Sequence, residues 1–371
     1  MQPYLKDERL LVLPVAIAIL SLFFEHSILG MGKPASLVAA LLLIVAIILA
    51  SVRVARHAEH LAHRVGDPYG TMILTLSAVL VEVIILAILM TSEASPTLVR
   101  DTIYAAVMLD INGILGLAAL LGGLRFGEQP YNNDSGKTYS VMILTAMGVS
   151  MVVPEFVPDP KWHYYSAFTI CVMLLLYGLF LRMQVGPHSY FFSYAYEDEG
   201  ETVPVVDVPL PEQQRKKKHD VPMGISAGVI VVGVVLIGLL AEAMSAFLGA
   251  GLEGSGAPPA LMAIVVAAIS AAPEILTAMR AALRNRMQAV VNIALGASLS
   301  TVILTVSAME AIALINGQPL SMGMTPVQTV MTVLTLIAAA INLNDGETNA
   351  IEGMTHFVLF ATFCMLTVVG L

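Results

Sequence analysis

Apolar runs of about 20 residues recur along the whole sequence, and no other feature narrows the fold as much. In hydrocarbon every backbone N–H and C=O must be satisfied within the protein, so such runs are membrane helices or strands of a closed barrel. Barrel strands alternate apolar and polar residues, whereas these runs are continuous. The expected fold is therefore an all-α polytopic membrane protein of about eleven transmembrane helices. They are placed at residues 10–30, 35–53, 70–92, 101–122, 138–158, 164–185, 223–249, 258–283, 289–316, 325–342 and 350–371. A charged fraction of 12% agrees, since soluble domains run near a quarter.

Lys6, Asp7, Glu8 and Arg9 give a mixed-charge head before an apolar run long enough to span, which is unlike a cleavable signal peptide. Cys171 and Cys364 both fall within expected spans, which argues against a structural disulfide or a thiolate metal site. With the N-terminus in the cytoplasm, 15 of the 18 Lys and Arg residues fall on the inner side, leaving only Lys33, Arg100 and Lys161 outside. This positive-inside bias predicts a cytoplasmic N-terminus and, after eleven spans, an outer C-terminus. The outer ends carry Glu25, Glu93, Asp101, Glu155, Asp159, Glu242, Glu253 and Glu310, part of a net charge of −9. Such a mouth concentrates cations, although a solvated acidic rim accounts for it equally simply.

The spans divide as one, five, linker, five. Residues 1–34 hold an N-terminal transmembrane helix, 35–185 a first five-helix repeat, and 223–371 a second. Between them, 186–222 is a cytoplasmic hydrophilic linker with the acidic cluster Glu197-Asp198-Glu199-Gly200-Glu201 and the basic run Arg215-Lys216-Lys217-Lys218. It has too little apolar surface to pack as a domain. An odd number of spans per half makes the halves enter the membrane from opposite sides, as in inverted-repeat transporters. On the inner connection after the second span, His57, His60 and His63 recur at i, i+3 and i+6. With no cysteine beside them, an interfacial polar face explains that spacing as well as a zinc site does.

A charged side chain in a bilayer core is costly and marks function. Glu82 and Glu274 hold corresponding places, each in the second span of its half, and each is expected near the bilayer midplane. Two ionised glutamates neutralise a dication, and the surroundings of Glu274 offer further oxygens. Pro273 has no N–H, so the carbonyl of Ile269 one turn earlier loses its helical partner and becomes a ligand. Ser270 and Thr277 share a helix face with Glu274. Asp110 and Ser300 are the matching polar residues of the next spans, and Asn292, Gly296 and Ser300 form a small polar stripe. The two glutamates also bind protons, and two nearby carboxyls titrate as a coupled pair. Glu242 and Glu310 sit towards helix ends, where interface solvation suffices, and His356 reads as a satisfied polar residue rather than a proton relay.

Four stretches resemble the calcium/proton exchangers of the cation/calcium antiporter superfamily, most closely its ChaA-type bacterial sodium(calcium)/proton branch. They are 58–66 leading to Glu82, 116–126, 271–299, and the turn Asp345-Gly346-Glu347-Thr348-Asn349-Ala350-Ile351-Glu352-Gly353. Signature helices of that family commonly carry Gly-Asn-Ala-Thr/Ala-Glu. Here Glu82 and Glu274 remain, but the asparagine amides are absent. The resemblance implies a secondary active antiporter exporting calcium, sodium or potassium for protons by alternating access, with Glu82 and Glu274 as cation and proton sites. It implies no cofactor, no enzyme activity and no nucleic-acid partner, only ions and membrane lipid. Two other classes compete. A passive cation channel needs no proton-exchangeable pair. An intramembrane enzyme needs paired aspartates near an interface, HExxH or a serine nucleophile with a basic partner, none of which is recognisable in the sequence.

Overall fold

The computed structural model describes residues 9–65, 69–92, 96–196, 222–256, 258 and 260–371. Lys6, Asp7, Glu8, Glu93, the acidic cluster at 197–201 and the basic run at 215–218 lie outside the described residues, as do the side chains of Arg9, His63 and Asp159. Helices run through all eleven expected segments. Eight of them are long and apolar enough to cross a membrane, and a ninth qualifies as a bent pair. The two others are shorter apolar helices, 75–90 and 326–342, so length and composition alone establish eight or nine crossings among the described residues.

The chain forms two compact units, residues 1–95 with 209–259 and residues 96–208 with 260–371. The first contains α1 (Arg9–Gly30), α2 (Lys33–Val65), α3 (Tyr69–Ser92) and α8 (Met223–Leu252). Helix α8 packs mainly on α2 and also on α1 and α3. Small residues set the approach, since Gly233 lies against the Val54 side chain and Gly251 against Leu37. His57 bridges the same helices. Its Nδ1 is 3.3 Å from Ser226 Oγ, and its Nε2 is 3.5 Å from Arg53 Nη2. Those contacts occupy both nitrogens, and among the described residues no group of three His, Cys, Asp or Glu side chains is arranged to hold a metal ion.

The second unit holds the remaining helices. Helix α4 (Leu98–Met108) runs through a π-helical segment, Leu109–Leu115, into α5 (Gly116–Phe126). Then come α6 (Asn133–Met147) with its own π segment, Gly148–Val152, and α7 (Trp162–Val185). Past the first unit's α8 the chain returns as α9 (Ala260–Ser270) and α10 (Ala272–Ala282), bent by 58° at Ala271. Next are α11 (Met287–Ser300), a third π segment (Thr301–Thr305), α12 (Val306–Asn316), α13 (Pro326–Asn342) and α14 (Ala350–Val368). Two short strands, β1 (Gln129–Pro130) and β2 (Glu347–Thr348), pair antiparallel beside the helix ends. Thr325 and Gln328 form a capping box with Pro326 in the first turn, which fixes where α13 begins.

One end of this unit is closed by a buried ion pair. Arg100 Nε and Nη2 donate to Asp101 Oδ1 at 2.9 and 2.8 Å, Arg100 Nη1 donates to the Gly323 carbonyl at 2.9 Å, and Gln328 Nε2 adds a 2.8 Å bond to the same carboxylate oxygen. Asp101 is therefore not part of a solvated rim, being 8% exposed. Arg100→Met strands a buried carboxylate and is expected to cost about 3–5 kcal/mol. A thermal unfolding midpoint in detergent unchanged from wild type would show that the pair is dispensable.

Candidate functional site

The bend between α9 and α10 falls where the sequence places the gap in the helical ladder. Ala271 leaves the regular helix at φ −82° and ψ 1°, Pro273 occupies the first turn of α10, and Glu274 follows it in that turn. Ile269 is buried at the end of α9, Ser270 is half-buried, and Glu274 is half-buried. The hydroxyls of Ser270 and Thr277 donate to the carbonyls of Ala267 (3.0 Å) and Pro273 (2.8 Å). A hydroxyl whose proton is held by its own backbone still presents oxygen lone pairs, the form a hard cation accepts. Thr277 itself is exposed.

Helix α10 packs on α11, on α5 and on the π segment 109–115. Asp110 sits in that π segment at 2% exposure, and its Oδ2 accepts a 3.1 Å bond from Ser298 of α11. Ser300, one half-turn further on, is 6% exposed and donates to the Ala297 carbonyl at 2.9 Å. The second unit thus brings Glu274, Asp110, Ser298 and Ser300 onto three mutually packed elements. Both helices that carry Asp110 and Ser300 continue as π segments, at 109–115 and 301–305. Such wide turns gather at functional sites because they re-aim side chains within a helix. Glu82 belongs to the first unit, at 5% exposure in the unbroken α3. Two turns earlier Thr75 is half-buried, and Ser77 donates to the Ile73 carbonyl at 2.7 Å.

The structure adds residues that sequence reasoning passed over. Asn112, fully buried two places after Asp110, donates to Thr335 Oγ1 at 2.7 Å and lies 2.9 Å from His356 Nδ1. An amide so close to Asp110 in an apolar run was the available signal. Glu310 is 1% exposed, not solvated at a helix end, because α12 packs on α7 and Ser166 donates to its carboxylate. Asn292 does not point free along a polar stripe. Its Nδ2 donates to the Phe192 carbonyl at 2.9 Å, and its Oδ1 accepts from Gln288.

That Phe192 contact belongs to an aromatic strap. Residues 189–196 follow α7 and were expected to be solvated, yet Phe192 is 1% exposed, with ring centroids of Tyr139 and Phe180 at 5.4 and 5.6 Å. Asn132 Nδ2 holds the strap through the carbonyls of Tyr190 (2.8 Å) and Ser193 (3.2 Å). The Tyr196 hydroxyl accepts from the Gln288 N–H at 3.0 Å, and Arg286 stacks over its ring at 5.0 Å. Burial pushes the Tyr196 phenol up to about 12 against the opposing pull of that N–H and of Arg286, so the strap stays neutral at physiological pH. Phe192→Ala is expected to destabilise by about 3 kcal/mol, read as a lowered unfolding midpoint. A wild-type midpoint would mean that the strap adds nothing to the unit.

The family model described as sodium/calcium exchanger protein matches residues 35–186 and 225–369. The sodium-potassium/proton antiporter ChaA of Escherichia coli (strain K12) is 31% identical over 360 residues, covering 96% of this chain and 95% of its own. A Ca(2+)/H(+) antiporter of Aphanothece halophytica is 24% identical, covering 76% of each chain. Among solved structures, native YfkE superposes with a TM-score of 0.75 at 18% identity over 97% of this chain and 99% of its own, which is a likeness of fold.

Proposed function

The chain belongs to the sodium/calcium exchanger protein family, and on that premise we propose that it is a multi-pass membrane antiporter that moves a metal cation one way and protons the other. The observation that carries the reading is a carboxylate inside an apolar helix in each family-matched segment, Glu82 and Glu274. Cation and proton compete for these oxygens. Burial disfavours the empty, ionised state of each carboxyl, so the carrier changes sides loaded with one or the other. Alternating access then couples the two fluxes. The same reading takes 35–185 and 223–371 as inverted five-helix repeats, with 186–222 between them. It is supported by the paired π segments beside Asp110 and Ser300. Lys and Arg bias supports a cytoplasmic N-terminus and an outer C-terminus in a bacterial inner membrane.

Asp110, Ser300, Ser270, Thr277 and the Ile269 carbonyl complete the proposed oxygen set of Glu274, and Glu82 is the proposed cation and proton carboxylate of the first repeat. Loss of the signature asparagine amides reduces the neutral oxygens, so the cation is sodium, potassium or calcium. Everted membrane vesicles carrying the protein test this directly. An imposed acid interior is monitored while sodium, potassium or calcium is added. Proton release on addition of at least one ion is expected. No release with any of the three overturns the proposal, and cation flux that ignores the pH gradient replaces it with a passive channel.

A further inference from the structure

The two ring nitrogens of His356 are treated differently by the fold. His356 is 3% exposed in α14, and Nδ1 lies 2.9 Å from Asn112 Oδ1. The amide is oriented from its other end, where Nδ2 donates to Thr335 Oγ1 at 2.7 Å and approaches Met108 Sδ at 3.6 Å. The Thr335 hydroxyl gives its own proton towards the same sulfur, at 3.6 Å. With Oδ1 turned to the ring, Nδ1 carries the hydrogen and Nε2 keeps the lone pair. Nε2 is buried and has no hydrogen-bond partner among the described residues. Helix packing fixes the ring's backbone, since a Cβ at Gly116 would stand 2.8 Å from His356 Cβ and 3.0 Å from the Phe357 nitrogen.

A residue that only bridged helices here would need one donor, which an amide supplies. Imidazole adds a basic nitrogen that is idle in the neutral ring, on a side chain whose ordinary titration falls between about pH 5 and 8. We propose that His356 is a proton-binding site of the exchanger, additional to Glu82 and Glu274. This rests on the cation/proton exchange reading above. The Nε2 lone pair takes a proton from hydronium, releasing water; both nitrogens then carry hydrogen, and one positive charge appears in α14. The Nδ1–H bond to Asn112 becomes charge-assisted and stronger.

Asn112 and Asp110 share the segment 109–115, against which α14 packs. A positive charge bonded to the first disfavours a cation at the second. Proton loading and cation loading then oppose one another, the sign that exchange requires. Few other ionisable groups stand on the elements around α14. Asp110 is bonded to Ser298, Arg125 is at the far end of α5, and Glu352 precedes His356 by one turn on α14 itself. Cys364 lies two turns beyond it, and α4 brings the Arg100–Asp101 pair and Tyr104, whose ring meets Phe363. Helices α9 and α13 carry no charged residue.

The test is the pH dependence of apparent cation affinity in vesicles reconstituted with the full chain, for wild type, His356→Asn and His356→Gln. Asparagine keeps a donor near the Nδ1 position and removes Nε2. Its exchange is expected to persist while the pH dependence flattens, by up to about tenfold in affinity per pH unit, the linkage of one proton. A wild-type pH dependence in His356→Asn overturns the proton site and leaves the exchange reading standing. Absence of exchange in the wild-type chain overturns that reading, and this inference with it. Should neither variant assemble, infrared difference spectra of wild type labelled with 15N-histidine decide. An isotope-shifted imidazolium band that disappears on cation addition supports the site, and its absence overturns it.

Discussion

Vesicles carrying Glu274→Gln are expected to show no cation-triggered proton release, and those carrying Glu82→Gln the same. Glutamine keeps the shape and one carbonyl oxygen but loses the negative charge and the exchangeable proton together. Removing one partner from a buried charge interaction costs about 3–5 kcal/mol, which corresponds to roughly 100-fold or more in cation affinity. Proton coupling is lost independently, because an amide does not titrate. Glu274→Asp separates the two effects. The charge and the proton remain while the reach shortens by one methylene, so weakened exchange with intact proton coupling is expected. Glu274 stands just after the bend at Ala271, in the first turn of α10. Wild-type flux in both glutamine variants would move the site away from these residues altogether.

Gly353→Leu is expected to abolish the folded second unit. The helices α5 and α14 meet backbone to backbone, with Gly353 against the Leu120 nitrogen and Gly123 against the Ala350 nitrogen. No flexible side chain stands there to yield. Overpacking in an ordinary core costs about 1–3 kcal/mol, and where the obstacle is main chain the cost lies at or beyond the upper end. Gly123→Leu strikes the same interface from the other helix and predicts the same outcome. Recovery of monodisperse protein from detergent, followed by its unfolding midpoint, measures both. Either variant purifying with the midpoint of wild type would mean that the helices have another way to pack.

The helical class and the position of every long apolar helix are legible in the sequence because hydrocarbon leaves the chain so few choices. The break before Glu274 is legible for a local reason, Pro273. What is not legible depends on which face of a helix meets which neighbour. Glu310 and Asp101 read as interfacial acids from their distance to a helix end, yet each is buried by a helix remote in sequence, α7 and α13 respectively. Phe192 and Tyr196 look like the start of a solvated linker because the charges after them dominate the composition, whereas the aromatic residues themselves pack. The π segments are silent in sequence too. Nothing in Leu109-Asp110-Ile111-Asn112 distinguishes a wide turn from a regular one, so the opposite duties of Asp110 and Asn112, one bonded to α11 and the other to α13 and α14, emerge only from the backbone.

Helix α1 has the smallest buried share of the eight long apolar helices, 17%, and it lies outside the stretches the family model matches. Phe23, Leu22 and Val12 are 80%, 63% and 64% exposed. A helix whose surface faces mostly outward is under weak selection for identity and strong selection for hydropathy alone. Exchanges of one apolar residue for another on that outward face leave the packing of the helix unchanged.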